Sequence, residues 1–132
     1  MNKVTNKTVE NTKEVVKRTG IMRLIFTCQH SFNGLKWMCK NEAAFQQELI
    51  LFIPLTLYAL LANISSLQSA LLITALLFVL FAELVNTAIE VVVDRIGLEY
   101  NELSGLAKDI SSAFVFISML IACITWIVVL TA

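Results

Sequence analysis

Four polar side chains, Glu83, Asn86, Glu90 and Asp94, appear in FAELVNTAIEVVVDRIG (81–97), directly after the apolar run ALLITALLFVL (70–80). On a helix turning ~100° per residue they fall at roughly 0°, −60°, −20° and +20°, a single narrow face. Along the axis Glu83 sits ~10 Å from Glu90, on the apolar side. An acidic residue at mid-membrane costs ~2.5–3.5 kcal/mol on insertion scales. Glu83 is off-centre, so its cost is smaller, yet it remains unfavourable without a partner. Such a carboxyl either hydrogen-bonds a neighbouring helix or marks a functional site inside the membrane. The shallower acids, at the edge of water, suit a cation.

More carboxylates gather on the same side. Asp94, Glu99, Glu102 and Asp109 lie within DRIGLEYNELSGLAKD (94–109), and Glu42 and Glu48 flank the start of an earlier apolar tract. Carboxylates that share a site repel one another unless a cation stands between them. Oxygen ligands without a His or Cys cluster point to magnesium. Magnesium held by few protein carboxylates commonly also holds nucleotide phosphates, and Lys108 and Arg23 are available to meet phosphate charge. Neither GxxxxGK[ST] nor GxGxxG occurs among the four glycines, so a nucleotide would not be cradled by either common phosphate loop.

The elements that must position these groups are written for lipid. Of 132 residues, 58% are hydrophobic, well above the ~45–50% of ordinary soluble domains. Residues 49–64 and 110–132 carry no charge, and 65–82 form a third uncharged tract that stays apolar to Val93. Each approaches the ~20 residues that cross ~30 Å of hydrocarbon. The expected architecture is an all-α integral membrane protein with spans at about 45–64, 67–93 and 110–131. Ahead of them, Ile21, Leu24, Ile25, Phe32, Leu35 and Met38 recur near helical spacing among polar residues. This predicts an amphipathic surface helix over 21–41, with Trp37 at headgroup level and Gly34 permitting a bend. Residues 1–20 form a polar extension without the apolar core of a signal peptide, and 21–132 form one membrane-integral domain. Lys3, Lys7, Lys13, Lys17, Arg18, Arg23, Lys36 and Lys40 precede the first span, and Arg95 and Lys108 separate the last two. The positive-inside bias places the N-terminus in the cytoplasm and, after three spans, the C-terminus outside. Pro54 falls in the first span, and Trp126 is expected at the outer interface. Cys28, Cys39 and Cys123 lack metal or disulfide spacing and read as free thiols. His30, the only histidine, reads as a partly solvated helix residue.

Three blocks in order, NEAAFQQE (41–48), AELVNTAIEVVVDRIG (82–97) and EYNELSGLAKD (99–109), resemble the membrane-integral diacylglycerol kinases of bacteria. The resemblance covers roughly residues 21–132. It implies a homotrimer in the bacterial inner membrane, with each chain contributing a surface helix and three spans and active sites shared between subunits near the cytoplasmic face. The implied reaction moves the γ-phosphoryl group of ATP to diacylglycerol, with magnesium as cofactor, to give phosphatidic acid in phospholipid recycling. Nucleic acid is not an expected partner. Glu83 matches the family's general base and Asn86 its companion asparagine; Glu42 and Glu90 match the metal ligands. Nucleotide contacts are implied for Arg23, His30, Glu42, Glu90, Glu99, Tyr100, Asn101, Lys108 and Asp109. Acceptor contacts are implied for Arg23, Ala44, Phe45, Gln46, Gln47, Glu48, Glu83 and Ser112. His30 stands where a tyrosine is usual, Asn101 where a histidine is, and Leu106 where an arginine is, departures that fall on the adenosine contacts rather than on the transfer centre.

Three other readings compete. Within the same superfamily, an undecaprenol kinase would use a polyprenol acceptor. In a different class, a small cation-coupled transporter would use the buried glutamate to carry ions, and a purely structural membrane subunit would need it only for helix association.

Overall fold

Long apolar stretches bounded by capping residues fold here into four α-helices among the described residues, 20–131 of the computed structural model. They are α1 (Ile21–Asn41), α2 (Ala43–Leu61), α3 (Ser66–Ile96) and α4 (Glu102–Thr131). The last three are long and apolar enough to cross a membrane. The polar extension expected at 1–20 lies outside the described residues except for Gly20, whose positive φ of 71° suits glycine and whose carbonyl accepts the Arg23 amide at the start of α1.

The chain divides between Asn33 and Gly34, within α1, into two units. In the first, Thr27 and Ser31 hydroxyls bond back to the Arg23 and Thr27 carbonyls at 2.8 and 3.0 Å, and Ile21, Leu24, Ile25 and Phe32 are exposed.

In the second unit α3 is the central element. It packs most extensively on α4 and also on α2. Its inward residues, Leu72, Ala75, Val79, Ala82, Asn86 and Val93, recur at intervals of three, four or seven positions and are buried, the spacing that keeps one stripe against a neighbouring helix. Facing them on α4, Ser111, Ser118 and Ala122 are buried too. Small residues dominate this seam, and Ala59 on α2 is fully enclosed. Small side chains let backbones approach closely, which is how helices gain packing energy where lipid removes the hydrophobic drive. Many large apolar side chains point the other way: Leu57, Leu60, Phe116 and Ile127 are all exposed.

The ends of the helices have local causes. The Ala62 amide closes α2 on the Tyr58 carbonyl at 2.8 Å. A capping box starts α3, with the Ser65 hydroxyl accepting the Gln68 amide at 3.2 Å and the Gln68 side chain accepting the Ser65 amide at 2.9 Å. The Ser69 hydroxyl then donates to the Ala59 carbonyl at 2.7 Å, joining α3 to α2. Removing the cap with Ser65→Ala should cost about 1 kcal/mol, read as a lower thermal unfolding midpoint in detergent. An unchanged midpoint would show that the turn is held by the spans alone.

Three sequence expectations are refined. Pro54 lies well inside α2, where it deprives the Ile50 carbonyl of its usual partner. Trp126 packs its ring 6.1 Å from that of Tyr58, with its indole nitrogen enclosed. The polar segment 94–109 is mostly helix, because α3 runs on to Ile96 and α4 begins at Glu102. Asn101 accounts for the early start: its side-chain oxygen accepts the Leu103 and Ser104 amides at 3.0 and 3.2 Å. At ~1.5 Å per residue the 31 residues of α3 span roughly 46 Å, well beyond the ~30 Å of a hydrocarbon core. Its last turns therefore reach past the apolar layer.

Candidate active site

The acidic stripe continues the packed seam of α3. Glu83 follows Ala82 on the inward face and is only 5% exposed; Asn86, one turn on, is 9% exposed. Glu90 is half-buried. The Asn86 amide nitrogen donates to Glu90 Oε1 at 3.1 Å, and the Ser111 hydroxyl on α4 lies 2.7 Å from Asn86 Oδ1. A turn further out, Lys108 Nζ on α4 meets Asp94 Oδ1 at 2.6 Å. Together Ser111–Asn86–Glu90 and Lys108–Asp94 tie the polar ends of α3 and α4.

Glu83 differs from its neighbours in having no hydrogen bond to any described residue. Its carboxyl lies within electrostatic range of Glu90 and Glu42, and Glu48 lies within range of Glu83. The four acids therefore converge from α2, α3 and the residue joining α1 to α2. Its oxygens are not among the fully enclosed, unpartnered atoms, which include Glu48 Oε2, so the Glu83 carboxyl keeps a free face.

Glu42 caps the start of α2 by position, but its side chain makes no capping hydrogen bond. Its carboxylate is left over for another partner, and Glu90 keeps an oxygen that Asn86 does not use. Among the described residues no three His, Cys, Asp or Glu side chains form a metal-binding group. Two carboxylates, all oxygen, nonetheless suit magnesium, which commonly takes one or two from the protein and fills its shell with water and phosphate.

Glu48 stands at one end of an apolar groove of about 230 Å³ between α2, α3 and α4, lined by Leu51, Phe52, Leu76, Val79 and Met119 among others. One of its carboxylate oxygens is buried without a hydrogen-bond partner. Phe45 is buried, whereas Ala44, Gln46, Gln47 and Ser112 are exposed. Beside the α3–α4 loop a second, more polar groove of about 360 Å³ is lined by Asp94, Glu99, Tyr100, Asn101 and Lys108. Tyr100 is 90% exposed there. Thus Glu99, Tyr100, Asn101 and Lys108 come together, while Asp109 is exposed on α4 outside that lining. Asn101 has its side-chain oxygen committed to the helix cap. Arg23 and His30 are exposed on α1 in the unit that ends at Asn33. The three cysteines are free and exposed.

One contributor was missed by the sequence reading. Ser111, fully enclosed and bonded to Asn86, stands next to Ser112. The signal available was helical phase: Lys108, Ser111, Ser118 and Ala122 share a face at spacings of three, seven and four.

Such a molecule belongs to a defined class: a small, three-span helical membrane protein with a buried carboxyl beside a hydrogen-bonded amide–carboxylate pair. The family follows from comparison. Residues 29–130 match the model of the prokaryotic diacylglycerol kinases. The diacylglycerol kinase of Escherichia coli (strain K12) is 43% identical over 112 residues, 85% of this chain and 92% of that one. Those of Haemophilus influenzae and Pseudomonas aeruginosa are 45% and 37% identical over 113 residues each, covering 83% and 86% of this chain and 93% and 92% of theirs. The chain belongs to the prokaryotic diacylglycerol kinase family and is a lipid kinase.

Proposed function

We propose that the chain transfers the γ-phosphoryl group of magnesium-bound ATP to the free hydroxyl of diacylglycerol, giving phosphatidic acid and ADP. The observation that carries the proposal is Glu83, buried and without a hydrogen bond to any described residue, one turn from the bonded Asn86–Glu90 pair.

A lipid kinase must join a hydroxyl that cannot leave the bilayer to a nucleotide that cannot enter it. The face of α3 spans that boundary. Glu83, on the apolar side, accepts the proton of the acceptor hydroxyl as its oxygen bonds to the γ-phosphorus. The bond from that phosphorus to the bridging oxygen breaks, and ADP leaves with the electron pair. Glu42 and Glu90 would hold magnesium, which when bound neutralises phosphate charge. Asn86 fixes the Glu90 carboxylate. Lys108 and the groove beside Tyr100 and Asn101 receive the nucleotide, with Asp109 as a further contact. Phosphoryl transfer depends chiefly on such alignment and charge compensation. On the acceptor side, Glu48 and the apolar groove below it support a lipid whose chains stay in the membrane, flanked by Ala44, Phe45, Gln46, Gln47 and Ser112.

The same reading places the protein in the bacterial inner membrane as a homotrimer with sites shared between subunits, N-terminus in the cytoplasm and C-terminus outside, and the first part of α1 on the cytoplasmic leaflet. The large apolar side chains exposed on the outer faces of the spans support contacts with lipid and with other copies.

The test is a mixed-micelle assay with γ-labelled ATP and magnesium, offered diacylglycerol, undecaprenol or no lipid. Labelled phosphatidic acid is expected. Preferential labelling of the polyprenol would reassign the acceptor, and no labelled lipid with either would reject the reading.

A further inference from the structure

We propose that Ser111 is a positioning residue of the site: its hydroxyl locks the Asn86 amide in the orientation that holds the Glu90 carboxylate. The inference rests on the reading of Glu90 as a metal ligand.

The geometry admits one consistent assignment. A carboxylate only accepts, so the Asn86 atom 3.1 Å from Glu90 Oε1 is the amide nitrogen. The carbonyl oxygen of Asn86 must then face Ser111, whose hydroxyl lies 2.7 Å away and has to donate. That hydroxyl also lies 2.9 Å from the Lys108 carbonyl. It has a single proton, however, and a carbonyl inside a helix already has the amide four residues on as its donor. Asn86 Oδ1 has no other hydrogen-bond donor among the described residues, so the proton goes there. Ser111 is 0% exposed.

The consequence is directional. Without the Ser111 proton, Asn86 Oδ1 loses its donor, and the amide is held by Glu90 alone and is freer to rotate away from it. The carboxylate would then sample orientations in which its free oxygen no longer faces the metal. Partners that orient a metal ligand typically change affinity by about 10–100-fold when removed. Ser118 provides a matched comparison on the same helix: it is equally enclosed, but its hydroxyl bonds to the Val115 carbonyl at 2.7 Å and to nothing on α3.

The experiment measures Mn²⁺ binding by electron paramagnetic resonance, with a non-transferable β,γ-imido ATP analogue, on purified full-length protein in nanodiscs. No turnover is involved. Ser111→Ala should weaken metal binding about tenfold, Ser118→Ala should match wild type, and Glu90→Gln should be weaker still. Wild-type affinity in Ser111→Ala beside a weakened Glu90→Gln would overturn the positioning role alone. Equal weakening in Ser111→Ala and Ser118→Ala would overturn it too, as a general packing effect. Undiminished affinity in Glu90→Gln would remove the ligand assignment itself and this inference with it.

Discussion

Glu83→Gln should lower kcat by about 10²–10⁴-fold, the range that a positioned general base contributes, while leaving ATP affinity and the thermal midpoint near wild type. Glutamine matches glutamate in size and keeps an acceptor oxygen, but it has no carboxylate to take a proton. The fold should tolerate the change, because a charge that is buried and close to Glu90 and Glu42 is not a source of stability. Neutralising it relieves desolvation and repulsion together. Measured kcat, nucleotide affinity and unfolding midpoint thus separate a chemical role from a structural one. Normal turnover in a well-folded Glu83→Gln enzyme would remove Glu83 from the base role, and tolerance of Glu83→Leu at full activity would favour a purely structural stripe.

The second large effect belongs to the shallow acids. Glu90→Gln and Glu42→Gln should each raise the magnesium concentration needed for half-maximal activity by about tenfold or more. In Glu90→Gln the side-chain oxygen can still accept from Asn86, so the Ser111–Asn86 linkage is preserved and the lost charge is what the titration reads. Glu42 makes no capping bond, so its replacement leaves the start of α2 intact. Superimposable magnesium titrations for both variants and wild type would count against both as ligands.

Much of this site was readable because it repeats a helical period within a single element. Glu83, Asn86 and Glu90 needed only the 3.6-residue turn to be placed on one face, and the apolar flanks of Glu83 already indicated its burial. What the sequence hid depends on two elements meeting. The Lys108–Asp94 pair and the Ser111–Asn86 bond join α3 to α4 across the loop at 97–101, and their existence depends on the register of two antiparallel helices. Two adjacent serines at 111 and 112 look alike until that register is known. The resemblance to known kinases pointed to Ser112, which is exposed, and said nothing of its neighbour Ser111, which packing buries. Helix ends were hidden for another reason. Hydropathy marks where a chain prefers lipid, and helices run on into water when a cap such as Asn101 supports them. The S-x-x-Q box at Ser65 and Gln68 was legible in principle, as a local pattern with a known partner geometry. Nothing local to one chain specifies the proposed trimer, which rests on the resemblance alone.

The central claim is one direct displacement, in which Glu83 deprotonates a lipid hydroxyl while its neighbours nearer water align the phosphates. The stereochemistry at phosphorus tests it, using ATP made chiral at its γ-thiophosphate with isotopic oxygen and diacylglycerol as acceptor. A single in-line transfer predicts inverted configuration in the lipid product. Retention would mean two displacements through a phosphorylated side chain and would contradict the account.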